Sequence, residues 1–512
     1  MNGRRKADGT RENATLVAPG MDSHGMTMSD EIEVKLALSP QDADILESCG
    51  LMAGKPKKAL QSSIYFDTPD HALLKAGLSL RIRRSGRKRI QTVKAGGAGS
   101  AGLFARPEWE RTVPDDTPII DDTMPIRLLL GDLTDGLAPV FEVHIERCAW
   151  HIHEGGAAIE LVLDRGEVVA ADRRSPICEV ELELKSGEAA ALFAFARKLD
   201  AVVPVRLGVL TKSRRGYALL EPVVAAFKAE RVELRHDVTA AQAFQHIVQI
   251  CLCQFRQNED LFLAGHAPEA LHQARIALRR LRSALSIFKT LLDDDVSADL
   301  RAGLRWLATE LGEARSIDAM IALAPPGALR HRLETARQTA YAHVRGVLAS
   351  PRVRRLMLDL TEWSVSGAWL DTADAEDIRN QPAREFASDA LDRLRRKVKK
   401  GRRDLAKGDD QARHKIRKDT KKLRYAAEFF TALFDRKRER RRYRRFISAL
   451  EALQDELGAL NDLAMAPGVL TRLDIADAPG AAALLFPGSR KKILDLAGAA
   501  HEAVIDATRF WR

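Results

Sequence analysis

The spacing of apolar residues changes once along the chain, and this change limits the possible folds. Apolar and polar positions alternate from residue 30 to about 220, whereas apolar residues recur every three to four positions from about residue 236. Alternation is typical of strands, and the longer spacing is typical of amphipathic helices. The sequence therefore predicts an α+β multidomain protein, with a strand-rich domain at 29–225 and an all-α domain at 236–505. Residues 1–28 show neither spacing and are predicted to be a disordered tail.

The strand-rich part contains seven clear alternating segments within about 190 residues. They lie at 31–36, 78–84, 90–94, 107–113, 141–147, 158–166 and 179–185. Glycine-rich stretches such as 95–102 separate them. Many short strands joined by turns predict an antiparallel barrel or a strongly curved sheet.

Charged residues share one face of each predicted strand. Glu31, Glu33 and Lys35 alternate with apolar residues, as do Arg81 and Arg83. An ordinary sheet with its charges turned to solvent would show the same alternation. The signs, however, are separated by strand: bases dominate 78–94, and acids dominate 141–164 and 179–183. If these charges face inward, the cationic wall would bind phosphate oxygens and the carboxylates would bind Mg²⁺ or Mn²⁺, forming a metal–polyphosphate site.

Positive charge is concentrated in one segment of the helical part. Residues 391–445 contain 24 Lys and Arg but only 8 Asp and Glu, in a chain whose net charge is +10. Such a segment attracts polyanions, although a solvated helix face or a basic linker would look similar. Nucleic acid is a weaker candidate than polyphosphate because aromatic residues, which stack on bases, are only 5% of the chain.

The helical part contains an internal repeat. A segment beginning at His272 (HQARIALRRLR) resembles one beginning at His414 (HKIRKDTKKLRY), and 310–320 resembles 456–465. A duplicated helical module with two similar bundles is expected. Each copy places one charged stripe on a helix: His272, Arg275, Arg279 and Arg282 in the first, and His414, Arg417, Lys421 and Arg424 in the second. Like charges at these spacings repel, so an external polyanion is the expected partner. The two histidines could equally be buried, hydrogen-bonded residues.

Several motifs of the strand-rich part resemble the CYTH domain, the family of triphosphate tunnel metalloenzymes. They are E-x-E-x-K at 31–35, L-R-I-R at 80–83, T-x-K at 92–94 and E-x-E at 179–181. The segments YFDTPD (65–70) and KSRRGY (212–217) also look like the bacterial inorganic triphosphatases within that family. The resemblance implies a closed antiparallel eight-stranded β-barrel whose tunnel binds triphosphate with Mg²⁺ or Mn²⁺.

The same resemblance implies roles for individual residues. Glu31 and Glu33 would help to bind metal and to position the attacking water, and Lys35 would act beside them as a catalytic and phosphate-binding residue. The other expected phosphate ligands are Arg81, Arg83, Lys94, Arg111, Arg147 and Arg214. The other expected metal ligands are Glu108, Glu110, Asp164, Glu179, Glu181 and Glu183.

The repeat of the helical part resembles the CHAD domain, together with the segment LQDELGALNDLA (453–464). That family implies two four-helix bundles and a basic surface that binds inorganic polyphosphate. The expected contacts are the two stripes together with Arg280, Lys418, Lys422 and Tyr425. One departure is visible, because Ser316 stands in the repeat where Asp462 stands in the other copy.

These features together predict an enzyme that hydrolyses inorganic triphosphate to diphosphate and phosphate, with polyphosphate bound by the helical domain. Scattered cysteines, and the lack of a secretion signal or a membrane-spanning segment, suggest a cytoplasmic location, with polyphosphate granules as one candidate site. Three alternatives stay open. They are a polyphosphate-binding granule protein without activity, a barrel that acts on ATP or thiamine triphosphate, and nucleic-acid binding by 391–445.

Overall fold

The computed structural model describes residues 20–21, 27–52, 54–95, 103–121, 134, 136–265, 267–292, 294–481 and 490–512. The side chains of 20–21, 27–31 and 103–106 are outside this description. The chain forms two compact units. The first contains most residues up to 196 together with 210–222, and the second contains 197–209 and 223–512. Most of the predicted tail lies outside the described residues, but Gly20–Met21 form a short strand that pairs with Thr27 and Met28 of the next strand, so the tail prediction is wrong for these residues.

An antiparallel sheet of nine strands builds the first unit. The strands are β1 (Gly20–Met21), β2 (Thr27–Ala37), β3 (Lys57–Asp67), β4 (Leu78–Ser85), β5 (Lys88–Ala95), β6 (Leu103–Thr112), β7 (Ala138–Glu154), β8 (Ala157–Ala170) and β9 (Arg173–Ser186). Their order is β1-β2-β6-β5-β4-β3-β7-β8-β9, and β2 also pairs with β9. Strand β3 was not among the predicted segments, because its first half alternates poorly.

Short helices accompany this sheet. They are α1 (Pro40–Ser48), α2 (Ala72–Lys75), α3 (Ala190–Val202) and α4 (Lys212–Leu220). Alternation places Leu80, Ile82 and Val93 on the outer face of the sheet, where they pack with Leu73 of α2. The apolar face of these strands is therefore covered from outside, which leaves the charged face turned inward.

Part of the inner face is apolar. On β7, Phe141, Val143 and Ile145 share a face with the charged Arg147, and they pack with Tyr217 of α4. Helix α4 comes so close that a side chain at Gly216 would meet the ring of Phe141 at 2.2–2.5 Å. Helix α4 is therefore packed tightly against the inner face.

Asp67 connects two of the motifs noted in the sequence. Its carboxylate accepts hydrogen bonds from the backbone N–H groups of Leu73 and Leu74, at 2.8 and 3.1 Å, and so holds the first turn of α2. It also accepts a 2.6 Å hydrogen bond from the Tyr217 hydroxyl. The segment YFDTPD thus anchors the helix that begins with KSRRGY.

The second unit is mostly helical and also contains the two-residue strand β10 (Arg206–Leu207). Its helices are α5 (Ala240–Gly265), α6 (Pro268–Ile287), α7 (Asp295–Glu310), α8 (Gly312–Leu323), α9 (Ala328–Leu348), α10 (Pro351–Ser366), α11 (Glu376–Asn380), α12 (Ala383–Lys400), α13 (Arg402–Lys407), α14 (Asp410–Phe430), α15 (Lys437–Arg472) and α16 (Arg490–Asp506). Short 3₁₀ turns lie at Lys289–Leu291, Ala368–Leu370, Ala373–Ala375 and Thr431–Leu433. Among the described residues, no helix is both long and apolar enough to cross a lipid bilayer.

The two repeated segments form α6 and α14, and these helices pack against each other. Helix α6 also packs against α5, α7 and α8, and α14 packs against α12, α13 and α15. On α6, Leu271, Leu278 and Leu285 are fully buried, because residues seven apart lie on the same helix face. The charged stripe occupies a different face of the same helix.

The close approach of α4 to β7 gives a stability prediction. We expect Gly216→Ala to lower the free energy of unfolding by about 1–3 kcal/mol, because the new methyl group would overlap the Phe141 ring. Ala218→Ser, which also adds one heavy atom to α4 but at an exposed position, should change it by less than about 0.5 kcal/mol. Scanning calorimetry of the full chain measures both, and equal effects would contradict the prediction.

Candidate functional site

One cavity of the first unit collects the charged faces of seven strands. Its volume is about 340 Å³, and it is lined by residues of β2, β4–β9 and the start of α4, with Tyr65 of β3. The charged lining residues are Glu33, Lys35, Arg81, Arg83, Lys94, Glu108, Glu110, Arg147, Glu160, Glu181, Glu183, Lys185 and Lys212. Ser79, Thr92, Thr211 and Ser213 complete the lining. Ten residues that the sequence singled out therefore meet around one space.

Three buried carboxylates form a cluster beside this cavity. Asp164 of β8 lies opposite Glu179 of β9, and Glu181 is the next residue of β9 on the same face. One oxygen from each lies within 4.8 Å of the other two. The residues are 0%, 2% and 8% exposed. A compact set of carboxylate oxygens is the donor set that Mg²⁺ and Mn²⁺ prefer, so these residues fit a divalent cation.

Lys212 contacts all three of these carboxylates. Its Nζ lies 2.7 Å from Asp164 Oδ2, 2.6 Å from Glu179 Oε1 and 2.8 Å from Glu181 Oε1. Burial alone would lower the pKa of Lys212, but Asp164, Glu179 and Glu181 raise this pKa well above its usual value. Lys212 is the first residue of α4, next to the capping Thr211, so the helix places its ammonium at the cluster.

Two further cations, Arg147 and Lys35, contact the carboxylate cluster. Arg147 donates to Asp164 at 2.8 and 2.6 Å and to Glu181 at 3.1 Å. Lys35 pairs with Glu33 at 3.1 Å and also contacts Glu181. Burial would raise the pKa of Glu181, but Lys212, Lys35 and Arg147 together hold it well below its usual value. Glu181 therefore stays ionised at neutral pH.

The strands β4 and β5 supply the cationic wall, and β6 partly neutralises it. Lys94 Nζ lies 2.9 Å from Glu108 Oε2, and Arg83 lies 3.2 Å from Glu110 Oε1. Arg81 is 3.9 Å from Glu108. The cavity thus mixes acids and bases on this side, and the separation by sign that the sequence suggested is incomplete.

Some predicted residues do not reach the cavity. Arg111 follows Glu110 directly and therefore points to the opposite face of β6, where it pairs with Asp121. Arg214 is exposed on α4. Asp164 and Glu179 belong to the carboxylate cluster but do not line the cavity. Glu31 lies on β2, but its side chain is outside the described residues.

Sequence reasoning missed Lys212, Lys185 and Tyr65 as site residues. Lys212 and Tyr65 are the first residues of KSRRGY and YFDTPD, so these two motifs already indicate both residues in the sequence. Lys185 pairs with Glu183 at 2.6 Å and with Glu160 at 3.1 Å, and it continues the alternating charges of β9.

In the second unit, the two charged stripes face each other on α6 and α14. Arg279 donates a 3.0 Å hydrogen bond to the Tyr425 hydroxyl, which links the two helices. The repeat extends to the histidines: His272 Nδ1 accepts from Arg315 at 2.9 Å, and His414 Nδ1 lies 2.9 Å from Asn461 Oδ1. The histidines are thus hydrogen-bonded within the unit.

Within the described part of this unit, the cations between these helices have few carboxylate partners. Burial lowers the pKa of Lys421 to about 6, and repulsion from Arg279 and Arg417 adds to this effect. Burial, Arg279 and Arg315 lower the pKa of Arg275 to about 10. Asp462 opposes this effect at Lys421 and Arg417. Such crowding of like charges is relieved by a bound anion.

Other members of the predicted set differ in their surroundings. Arg280 is 2% exposed, donates to Gln254 Oε1 at 3.0 Å and lies over the ring of Phe429, so it is a core residue and not a surface contact. Arg424 is paired with Glu428 at 2.7 Å. Lys418 is exposed, and Lys422 and Arg282 are half-buried, with the pKa of each of these two lowered by burial.

Comparison with known families agrees with this division. Residues 29–217 match the CYTH domain and residues 246–471 match the CHAD domain. The chain therefore contains a CYTH domain followed by a CHAD domain.

Particular relatives are similar to each part. An inorganic triphosphatase of Haemophilus influenzae is 32% identical over 209 residues, which are 38% of this chain and 55% of that protein. The CHAD domain of the plant Ricinus communis is 32% identical, covers 54% of this chain and 96% of its own, and has a TM-score of 0.46. A proposed adenylyl cyclase from Hippeastrum, described as having a dominant triphosphatase activity, is 19% identical over 37% of this chain and 95% of its own, with a TM-score of 0.30.

The charge cluster gives a second stability prediction. Glu181→Gln should lower the free energy of unfolding by about 3 kcal/mol or more in metal-free buffer, because Lys212, Lys35 and Arg147 lose a buried partner. Glu183→Gln, on the same strand face but paired with the half-exposed Lys185, should cost less than about 1 kcal/mol. Urea unfolding of both full-length variants measures this difference, and a larger effect at Glu183 would refute the prediction.

Proposed function

We propose that the chain is a metal-dependent inorganic triphosphatase, which hydrolyses triphosphate to diphosphate and phosphate inside a closed barrel formed by β2–β9. The observation that carries this proposal is the meeting of phosphate-binding cations with a buried carboxylate cluster around one cavity. The pairing of β2 with β9, at the other end of the strand order, supports closure of the sheet into a tunnel.

Asp164, Glu179 and Glu181 are the residues that would hold the metal, with Glu33 nearby through Lys35. Magnesium or manganese suits these oxygen ligands, and when bound it would neutralise charge on the phosphoryl oxygens. Glu31 keeps the role that its motif suggests, as a further ligand and water-positioning group.

The cations of the cavity would bind and orient the substrate. Arg81, Arg83 and Lys94 present donors from two neighbouring strands, and Arg147 and Lys35 line the same cavity. Guanidinium and ammonium groups fixed in this way stabilise charge that develops on the transferred phosphoryl group. The buried position of these groups strengthens the interaction because little water screens it.

The cavity lining favours inorganic triphosphate over nucleotides. Among the described residues that line the cavity, Tyr65 is the single aromatic, and it is 4% exposed. Purine or thiazolium rings would need apolar or aromatic surface, which this lining does not offer. The similarity to an inorganic triphosphatase supports the same substrate, although the matched region spans about half of that relative.

The helical unit is proposed to bind polyphosphate. The facing stripes of α6 and α14 place Arg275, Arg279, Arg417 and Lys421 near one another, with Asp462 as a nearby acid. A polyanion would supply the missing negative charge. A protein that only binds polyphosphate is the second candidate function, favoured by this surface alone.

The activity can be tested with a pair of neighbouring residues. Arg83 lines the cavity, whereas Arg84 points to the opposite face of β4 and contacts Asp116. We expect Arg83→Gln to lower kcat/KM for triphosphate by about 100-fold, equivalent to about 2.7 kcal/mol, and Arg84→Gln to change it less than threefold. Colorimetric phosphate release with Mg²⁺ or Mn²⁺ measures both variants.

The controls for this test define the substrate. The same assay with ATP and thiamine triphosphate should give lower kcat/KM than with triphosphate, and excess EDTA should abolish release. Absence of metal-dependent phosphate release by the wild-type chain would remove the enzymatic proposal and leave the binding protein.

The helical surface predicts a pH dependence of polyphosphate binding. Because the pKa of Lys421 is lowered to about 6, this side chain is charged below that pH and loses its proton above it. Affinity for polyphosphate should therefore fall as the pH rises from 5.5 to 8, with proton uptake on binding. Calorimetry in buffers of different ionisation enthalpy measures both effects. Lys421→Met should weaken binding at pH 5.5 and flatten the profile; a profile identical to that of the wild type would contradict this role.

A further inference from the structure

We propose that Lys212 competes with the divalent metal for the same three carboxylates, so that its ammonium leaves the cluster when the metal binds. This inference rests on the metal-binding part of the proposed function. It makes Lys212 a determinant of metal affinity.

The Lys212 ammonium already contacts every carboxylate of the candidate metal site. The Lys212 ammonium lies 2.6–2.8 Å from one oxygen of each of Asp164, Glu179 and Glu181. These three residues also form the candidate metal site. A divalent cation would bind such oxygens at about 2.0–2.6 Å. An ion at that distance from all three oxygens would collide with the ammonium and be repelled by it.

The neighbouring cations, Arg147 and Lys35, are not found in contact with all three carboxylates. Arg147 contacts Asp164 and Glu181 from one side, and Lys35 contacts Glu181 and Glu33. Lys212 is the one cation among the described residues for which a short contact with each of the three carboxylates is found. Of these three cations, Lys212 is therefore the one whose position a metal bound to all three carboxylates would take.

Lys212 can leave the cluster without movement of its helix. Helix α4 is anchored by the hydrogen bond from Tyr217 to Asp67 and by the close contact of Gly216 with Phe141. The flexible Lys212 side chain, however, also lines the cavity that collects the phosphate-binding cations. The released ammonium would therefore enter the space proposed for the substrate.

This exchange couples metal binding to substrate binding. Without a ligand, the Lys212 ammonium neutralises the carboxylates. The apparent metal affinity is then the intrinsic affinity multiplied by the fraction of molecules in which Lys212 has left the cluster. Phosphate oxygens in the cavity would stabilise the displaced ammonium and thereby favour metal entry. By linkage, metal would favour substrate binding to the same extent.

The test measures Mn²⁺ binding to the full-length chain without substrate, by electron paramagnetic resonance of free Mn²⁺. Lys212→Met should bind Mn²⁺ at least tenfold more tightly than the wild type. Lys185→Met removes the same charge from the same cavity but leaves the cluster untouched, since Lys185 pairs with Glu183 and Glu160. It should change Mn²⁺ affinity less than threefold. Equal gains in both variants would show only a general charge effect and would overturn the competition.

A second measurement needs no variant, in case Lys212→Met does not fold. Acetylation of the wild-type chain, quantified by peptide mass spectrometry, should label Lys212 several-fold faster with saturating Mn²⁺ than with EDTA, while labelling of Lys185 stays constant. Unchanged or slower labelling of Lys212 would refute the exchange.

These readouts are independent of catalysis. If the wild-type chain releases no phosphate but Lys212→Met binds Mn²⁺ more tightly, the proposed function fails and the competition holds. If neither protein binds Mn²⁺, the competition is overturned even where phosphate is released.

Discussion

The pairing of Lys212 with Asp164, Glu179 and Glu181 is the interaction on which the first unit depends. Carboxylates removed from water cost several kcal/mol each unless cations compensate them, and three within 4.8 Å also repel one another. The compensating lysine is supplied by α4, so the charged face of the sheet requires that helix to be inserted. Helix α4 is in turn positioned by Asp67 and by the apolar contacts of Tyr217. Site chemistry and fold are therefore coupled through one helix.

The alternation of charges was the most informative feature of the sequence, because strand periodicity is local and needs no knowledge of the fold. It placed each of Glu33, Arg81, Arg83 and Glu181 on the charged face of its own strand. Alternation alone could not say whether that face turns inward, since a sheet with exposed charges has the same pattern. The family motifs favour the inward orientation, and these four residues line one cavity. Arg111 could have been excluded by the same alternation, because it follows Glu110 directly.

Long-range contacts explain what could not be predicted. Lys212 lies 31 and 48 residues from Glu181 and Asp164 in sequence, and only the insertion of α4 brings it to the cluster. In the helical unit, Arg279 and Arg280 are neighbours in sequence, but a helix turns about 100° per residue, so one faces α14 and the other enters the core. The repeat predicted the charged stripes but not the acids that neutralise Arg424. These acids are Glu428, one turn further along α14, and Glu451 of α15.

Most cations of the first cavity are paired with carboxylates, whereas Lys421 and Arg275 of the second unit face other cations. These two arrangements are suited to different anions. In the first unit, carboxylates are close to most of the cavity's lysines and arginines, so a bare anion would find the positive charge already compensated. A triphosphate that arrives with its own divalent cation instead satisfies both the acids and the bases. In the second unit, Lys421 and Arg275 face other cations, and their pKa values are lowered. A surface of this kind is stabilised most by a long anion without metal, because each phosphate group reduces the repulsion between neighbouring cations of the folded protein.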